Sequence, residues 1–194
     1  MKIKAAVLTA METPKPYADS QPVEIAEVEL APPSAGEVLV EIRAAGVCHS
    51  DLSIINGSRP RPLPMVLGHE AAGVVAEVGK DVRVLKKGDH VAFVFVPSCG
   101  HCEPCMSGRP ALCEPGAKAN LEGTLLGGGK RLSWNGESVN HQVGVSCFAE
   151  YAVASERSLI RVDRTLPIDE AALFSCAVIT GVGAVVNAAR MTTG

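Results

Sequence analysis

The fold class is indicated most clearly by Val23-Glu24-Ile25-Ala26-Glu27-Val28-Glu29-Leu30, where apolar and acidic residues alternate closely. Alternation with a period of two predicts a β-strand that has one face in the core and the other in water. The next stretch, residues 32–36, is rich in proline and small residues, which favours a tight turn and an antiparallel barrel or sandwich. The chain is therefore predicted to be mainly β.

Further segments rich in valine and isoleucine lie on both sides of this strand. They predict strands at residues 5–8, 38–44, 73–78, 90–95, 148–153 and 159–162. Helices are expected only late in the chain, starting near Pro167 and again over residues 178–190. Residues 121–140 are rich in glycine and polar side chains and are expected to form a surface loop anchored by Trp134. A loop position is also a simple interpretation of His141, beside the alternative that it contacts substrate or cofactor.

Composition excludes several classes of partner. The 194 residues carry a formal net charge of −3, with acids and bases interspersed and no run of lysine or arginine, so nucleic acid and anionic membranes are not expected partners. No apolar run approaches the roughly 20 residues of a membrane span, and Glu12 interrupts the start before a signal-peptide core could form. We therefore expect a soluble, cytoplasmic protein.

Four of the seven cysteines crowd into fifteen residues, at Cys99, Cys102, Cys105 and Cys113. A short looping segment can bring four thiols to one tetrahedral point, which predicts a closed zinc site that orders a lobe over about residues 97–115. An iron-sulfur cluster is the nearest alternative, but its fourth cysteine usually follows after about three residues rather than seven. His101 lies inside the cluster and is expected to be a bystander, because four sulfur ligands already complete the site.

A second group of candidates lies in Cys48-His49-Ser50-Asp51 and in Leu67-Gly68-His69-Glu70, each with a metal-binding residue beside a possible orienting residue. A catalytic zinc keeps three protein ligands and one open position, and two cysteines with one histidine form one known set. Spacing alone does not identify that set, because Cys48, His69 and Cys176 are far apart in sequence. Each residue taken singly is equally a buried small side chain or a core histidine.

Gly68-His69-Glu70-Ala71-Ala72-Gly73-Val74-Val75, followed by Gly79 and Gly88-Asp89-His90-Val91, resembles the zinc signature of medium-chain alcohol dehydrogenases. The Cys48 element and the four-cysteine lobe also lie where that family has them, and the resemblance runs from about Lys4 to Gly194. It implies a GroES-like catalytic domain over residues 1–175, built as a partly open β-barrel with a zinc lobe and a few helices. Residues 176–194 would then begin the connection to a Rossmann nucleotide-binding domain, before which the chain is cut off.

The resemblance also implies two zinc ions per chain. Cys48, His69 and Cys176 would hold the catalytic ion, and Cys99, Cys102, Cys105 and Cys113 the structural one, which leaves Cys147 as a buried free thiol. Asp51 would steady the imidazole, Glu70 would lie behind the metal, and Ser50 would accept the proton of the bound alcohol. The other implied contacts are Phe95, Gln142 and Val143 in the substrate pocket, Thr180 at the nicotinamide and His49 at the cofactor pyrophosphate.

The implied reaction is the reversible oxidation of a small-molecule alcohol to an aldehyde or ketone, with hydride transfer to NAD or NADP. Glutathione-dependent formaldehyde dehydrogenases are a compatible subclass, and the full-length protein is expected to be a homo-oligomer. Ser53 stands where many members carry the histidine that ends the proton relay, so no general base is assigned.

The isolated chain is expected to be inactive, because Gly181-Val182-Gly183-Ala184-Val185-Val186 has valine where a dinucleotide fingerprint has its third glycine. The alternative from a different class is a zinc-stabilised binding or assembly domain without turnover.

Overall fold

The computed structural model describes residues 1–192, which form two β-sheets and a set of short helices. The strands in this part of the chain are β1 (Lys2–Leu8), β2 (Val23–Leu30), β3 (Glu37–Gly46), β4 (Met65–Val66), β5 (Glu70–Val78), β6 (His90–Phe93), β7 (Leu132–Trp134), β8 (Glu137–His141), β9 (Tyr151–Ser155) and β10 (Leu159–Arg161). The α-helices are α1 (Tyr17–Ser20), α2 (His49–Ile55), α3 (Glu103–Met106), α4 (Glu114–Glu122), α5 (Ile168–Leu173) and α6 (Ala177–Gly183). Short 3-10 turns lie at Pro110–Leu112 and Glu156–Ser158, and a π-helical turn at Ala184–Ala188.

The first sheet closes on itself as a barrel in the order β1-β2-β7-β8-β4. Its pairs are antiparallel except for β4 and β8, which run parallel and join Met65 to Asn140. In β2 the alternate residues Ala26, Val28 and Leu30 are buried inside the barrel. Ile25 falls on the other face and is 71% exposed, because the alternation shifts phase between Ile25 and Ala26.

The second sheet is antiparallel, in the order β10-β6-β5-β3-β9, and it positions the site described below. Its buried face includes Val40, Val75 and Phe93. Helix α5 packs against the sheet through Ala171 and Ala172, which contact Ala72 of β5. The end of β3 and the start of β5 lie side by side, with Gly46 paired to Glu70.

The prediction of a mainly β fold is confirmed, and each predicted strand overlaps an observed one. The expected surface loop at residues 121–140 is wrong in large part, because this segment contains the end of α4, all of β7 and most of β8. Trp134 is accordingly a strand residue packed against the barrel core, and His141 ends β8 fully buried. These strands carry serine, asparagine and glutamate, so their sequences show no apolar pattern. They form strands because they pair with β2 and β4.

The helix expected over residues 178–190 is shorter than predicted, since α6 ends at Gly183 and a π-helical turn follows it. Residues 193–194, the last of the expected connection at 176–194, lie outside the described residues. Within residues 1–192 the helices are all too short, or too polar, to cross a membrane.

Candidate metal centres

The first centre begins where β3 ends. Cys48 is the N-cap of α2, and its sulfur accepts a hydrogen bond from the backbone N–H of Asp51. The Asp51 carboxylate in turn accepts from the Cys48 backbone N–H at 3.0 Å. This reciprocal capping box fixes the thiol and the carboxylate within one helical turn.

His69 is held by a buried hydrogen-bond network. Its Nδ1 lies 2.9 Å from Oδ1 of Asp51, and both side chains are almost fully buried. The amide of Gln142 donates to the same carboxylate oxygen at 2.7 Å and accepts from the backbone N–H of Gly68. Because the carboxylate favours a proton on Nδ1, Nε2 of His69 is left free to bind a metal.

Burial and hydrogen bonding act in opposite directions on this pair. Burial would raise the pKa of the Asp51 carboxyl, but the hydrogen bonds from His69 and the Cys48 N–H hold that pKa below its usual value. Burial would likewise lower the pKa of His69, and the hydrogen bond and negative charge of Asp51 raise it instead. The hydrogen bond between Asp51 and His69 therefore offsets the effect of burial and fixes the orientation of the ring.

Two backbone conformations place the network. Gly68 has a φ of +100°, and a Cβ there would lie 2.4 Å from the backbone nitrogen of Phe148, so only glycine fits directly before His69. Val143 follows Gln142 with a φ of +45°, which is a strained conformation for a β-branched residue. The Gln142 N–H donates to Ser146 Oγ at 2.9 Å, and this bond holds the turn that directs the amide toward Asp51.

Cys176 completes the first centre from a distant part of the chain. The sulfurs of Cys48 and Cys176 are 3.8 Å apart, and these sulfurs and a ring nitrogen of His69 all lie within 4.8 Å of one another. Two sulfurs bound tetrahedrally to one zinc at 2.3 Å would be about 3.8 Å apart, so the donor set fits zinc. Ser175 anchors this end, since its buried hydroxyl donates to the Ala71 carbonyl at 2.7 Å.

The two thiols differ in acidity. Burial, together with the neighbouring Cys48 sulfur, raises the pKa of Cys176 to about 11. Burial also opposes ionisation of Cys48, but the N–H and hydroxyl of Ser50 and the imidazole of His69 lower the pKa of this thiol below its usual value. In the absence of a metal ion, the thiols of Cys48 and Cys176 together therefore tend to hold one proton. A bound metal ion would displace this proton.

A cavity of about 580 Å³ opens beside the first centre, a volume typical of small-molecule sites. Six of the predicted site residues line it in addition to the three candidate ligands: Ser50, Glu70, Phe95, Gln142, Val143 and Thr180. Phe95 also packs edge-on against the His69 ring, with 5.5 Å between ring centroids. The remaining lining residues are mostly apolar, apart from Arg59 and Arg61, which the sequence did not single out.

His49 differs from the other predicted residues, because it is exposed on α2 and does not line the cavity. Its neighbour Ser53 donates its hydroxyl to the His49 carbonyl at 3.0 Å, so this hydroxyl is occupied by the helix backbone. His141 also lies away from the cavity. Its Nε2 accepts from the Arg131 N–H at 3.0 Å, and burial, with the charges of Arg131 and Lys130, lowers its pKa to about 3.

The second centre is the four-cysteine cluster. The sulfurs of Cys99, Cys102, Cys105 and Cys113 lie within 4.8 Å of one another, with Cys105 inside α3 and Cys113 at the N-cap of α4. Backbone N–H groups point at the sulfurs, with Cys102 donating to Cys99 at 3.3 Å and Gly116 donating to Cys113 at 3.3 Å. His101 is exposed and its ring contacts the Cys99 carbonyl, which agrees with a bystander position.

The thiols of this cluster differ in pKa. The His101 N–H lowers the pKa of Cys99 to about 6, whereas burial and the adjacent thiols raise the pKa of Cys105 to about 12. Four thiolates this close repel one another, so full ionisation needs a cation among them. The cluster fits a closed zinc site with no open position.

The chain that carries these two centres is similar to known proteins. The alcohol dehydrogenase GroES-like domain family matches residues 34–164, which is more than half of the chain. The S-(hydroxymethyl)glutathione dehydrogenase of Escherichia coli O1:K1 / APEC is 40% identical over this whole chain, which covers 51% of that protein.

Two solved structures have the same fold. The alcohol dehydrogenase zinc-binding domain protein from Burkholderia ambifaria has a TM-score of 0.88 and 36% identity, with 100% of this chain and 50% of that one covered. Benzyl alcohol dehydrogenase from Acinetobacter calcoaceticus has a TM-score of 0.85 and 33% identity, with 99% and 49% covered. The chain spans about half the length of the curated relatives it matches.

Proposed function

This chain belongs to the alcohol dehydrogenase GroES-like domain family, and from that premise we propose that it activates a small alcohol or aldehyde in a zinc-dependent dehydrogenase. One observation carries the proposal. Cys48, His69 and Cys176 meet beside a cavity, as three ligands with one side open to a small molecule. Two thiolates and one imidazole suit a catalytic zinc, whereas the four-thiol cluster suits a structural one.

A zinc ion held by Cys48, His69 and Cys176 would supply Lewis acidity, which lowers the pKa of an alcohol hydroxyl. Asp51 holds the His69 ring in one orientation and tautomer, and Gln142 fixes Asp51. Ser50 lines the cavity beside Cys48, and we assign its hydroxyl as the first acceptor of the substrate proton. The half-buried Phe95 and Val143 exclude water from one wall of the cavity.

The hydride acceptor we propose is NAD or NADP, with Thr180 beside the nicotinamide and His49 near the pyrophosphate. Thr180 lines the cavity, and the exposed ring of His49 is accessible to a phosphate. We assign residues 1–175 to the catalytic domain and 176–194 to a connection toward a nucleotide-binding domain. Residues 1–192 offer no glycine-rich dinucleotide loop, so we expect negligible turnover from the 194-residue chain alone.

Zinc content per chain, measured by elemental analysis, tests the proposal. We expect two zinc ions in the native chain and one after Cys48→Ser, because the substitution removes a ligand of the first centre only. Cys147→Ala is the matched control, since Cys147 is buried outside both clusters and its loss should leave two ions bound. One zinc per chain, unaffected by Cys48→Ser, would contradict the proposal and favour a zinc-stabilised assembly domain.

A further inference from the structure

Two arginines line the cavity that the first centre faces, and the proposed chemistry uses neither. Arg59 is exposed and Arg61 is half-buried, both in the segment that follows α2. Within residues 1–192 neither guanidinium forms an ion pair with a carboxylate. Arg61 donates one bond to the Pro60 carbonyl at 3.0 Å, which leaves most of its donors free. Two cations without a carboxylate partner thus line one substrate-sized cavity.

The segment that carries these arginines is restricted in conformation. Each arginine precedes a proline, Pro60 and Pro62, and a following proline disfavours helical backbone at the residue before it. The Arg59 N–H donates to the Ser53 carbonyl at 2.8 Å, which ties the segment to the last turn of α2. Little backbone entropy is therefore lost when both guanidinium groups bind one ligand.

The charges around the cavity are divided by depth. Glu70 is the acidic residue among those that line it, and its side chain is only 4% exposed, next to Gly46 and Cys176. The lining also includes the apolar residues Val47, Ile54 and Leu173. A ligand in this cavity would therefore meet buried metal ligands, apolar side chains and the positive charge of the more exposed arginines.

We propose that the cavity selects alcohols or aldehydes that carry a carboxylate, which Arg59 and Arg61 bind while the hydroxyl or carbonyl group faces the first centre. The inference rests on the proposed function and narrows its substrate class. Guanidinium groups bind carboxylates through paired, charge-assisted hydrogen bonds, and arginine suits this geometry better than lysine. The two guanidinium groups would also bind a phosphate of a dinucleotide, so the test includes pyrophosphate.

The test uses the 194-residue chain loaded with cobalt, whose visible absorption responds to ligands at an open position but not at a closed four-thiol site. Titrations compare 4-(hydroxymethyl)benzoate with the uncharged benzyl alcohol, and separate titrations use pyrophosphate. We expect the carboxylate to bind roughly three- to tenfold more tightly than benzyl alcohol, a difference that shrinks in high salt. In the double variant Arg59→Ala, Arg61→Ala the two alcohols should bind equally.

Control variants distinguish the effect of Arg59 and Arg61 on binding from general effects of substitution. Arg43→Ala removes an arginine outside this cavity and should keep the native preference. The charge-reversed variant Arg59→Glu, Arg61→Glu should prefer 4-(aminomethyl)benzyl alcohol over the benzoate. Unchanged benzyl alcohol binding in each variant would establish that the metal centre is intact.

The outcomes are distinct. Equal binding of the benzoate and benzyl alcohol by the native chain overturns the inference and leaves the proposed function standing. A response to pyrophosphate that depends on both arginines, without a preference for the benzoate, also overturns it and assigns the arginines to the cofactor. No spectral response to either alcohol contradicts the proposed function itself, and the inference fails with it.

Discussion

Gln142 connects two buried parts of the first centre, the Asp51 carboxylate and the backbone directly before His69. Its amide nitrogen donates to Asp51 and its amide oxygen accepts from the Gly68 N–H, directly before His69. One side chain thus fixes both the carboxylate and the backbone that carries the imidazole. The effect of Gln142 on metal binding is therefore indirect, through residues that would contact the ion.

We expect Gln142→Leu to lower the free energy of unfolding by about 1–3 kcal/mol, because it leaves the buried Asp51 oxygen and Gly68 N–H without these partners. Zinc affinity at the first centre should fall by roughly ten- to a hundredfold, as measured by competition with a chelator. Urea titration of the metal-free chain measures the change in the free energy of unfolding separately.

The four-thiol cluster serves as the internal control for this variant, since Gln142 does not contact it, and its zinc affinity should not change. An equal loss at both centres would indicate general destabilisation. Unchanged affinity at the first centre would show that Asp51 orients His69 without the amide.

The sequence predicted the site residues to different degrees. The spacing of Cys99, Cys102, Cys105 and Cys113 was sufficient to predict a cluster, because a short segment limits where its thiols can lie. Cys176 could be assigned to the first centre only through resemblance, since no spacing rule covers ligands on separate elements. The hydrogen bonds of Gln142 and the position of Arg59 had no sequence signal, because both depend on tertiary packing.

Among the secondary-structure elements, the strands that could be predicted are those with a hydrophobic pattern in their sequence. Strands β2, β3 and β5 carry apolar runs or alternation and were found close to their observed bounds. Strands β7 and β8 were missed, because their sequences LSW and ESVNH are short and polar and gain stability from pairing with β2 and β4. Short strands that complete a barrel are specified by their neighbours more than by their own residues.

The lobe around the four-thiol cluster should depend on metal for its order. Its helix α3 has four residues, and the following 3-10 turn has three, which is too short for either to be stable alone. We expect Cys105→Ser to make residues 97–115 sensitive to thermolysin, which cleaves beside exposed apolar residues such as Met106 and Leu112.

Cys48→Ser is the matched comparison for this digestion, because it removes a candidate ligand of the other centre and should leave the lobe resistant. Mass spectrometry of the first fragments locates the cleavage. Equal resistance of native chain and Cys105→Ser would mean that packing alone, without metal, orders the lobe.

At the scale of the whole molecule, apolar side chains are concentrated at one exposed end. Helix α6 and the π-helical turn contain no buried residues, and they expose several large apolar side chains: Ile179, Val182, Val185 and Val186. Contiguous apolar surface of this kind promotes association in water. The first centre, through Cys176, and this exposed end are thus adjacent in sequence but differ in how deeply their residues are buried.

We expect the 194-residue chain to self-associate as its concentration rises, and the double substitution Val182→Ser, Val186→Ser to weaken that association. Residues 182 and 186 are one helical turn apart and share a face. Sedimentation velocity over a range of concentrations measures the effect. Val84→Ser is the control, since Val84 is 68% exposed, more than either valine of the pair at 55%, but lies on a separate loop. Association that persists in the double variant would exclude this surface.

The two metal centres also differ in how much of the chain each encloses. Cys99 and Cys113 are 14 positions apart, whereas Cys48 and Cys176 are 128 positions apart. Because a chain leaves the ribosome from its N-terminus, the four-thiol lobe can acquire its ion while translation continues. The first centre can be completed only after Cys176 has been synthesised, which is 128 positions after Cys48. If both centres bind zinc as we propose, the four-thiol cluster could therefore be loaded before the first centre.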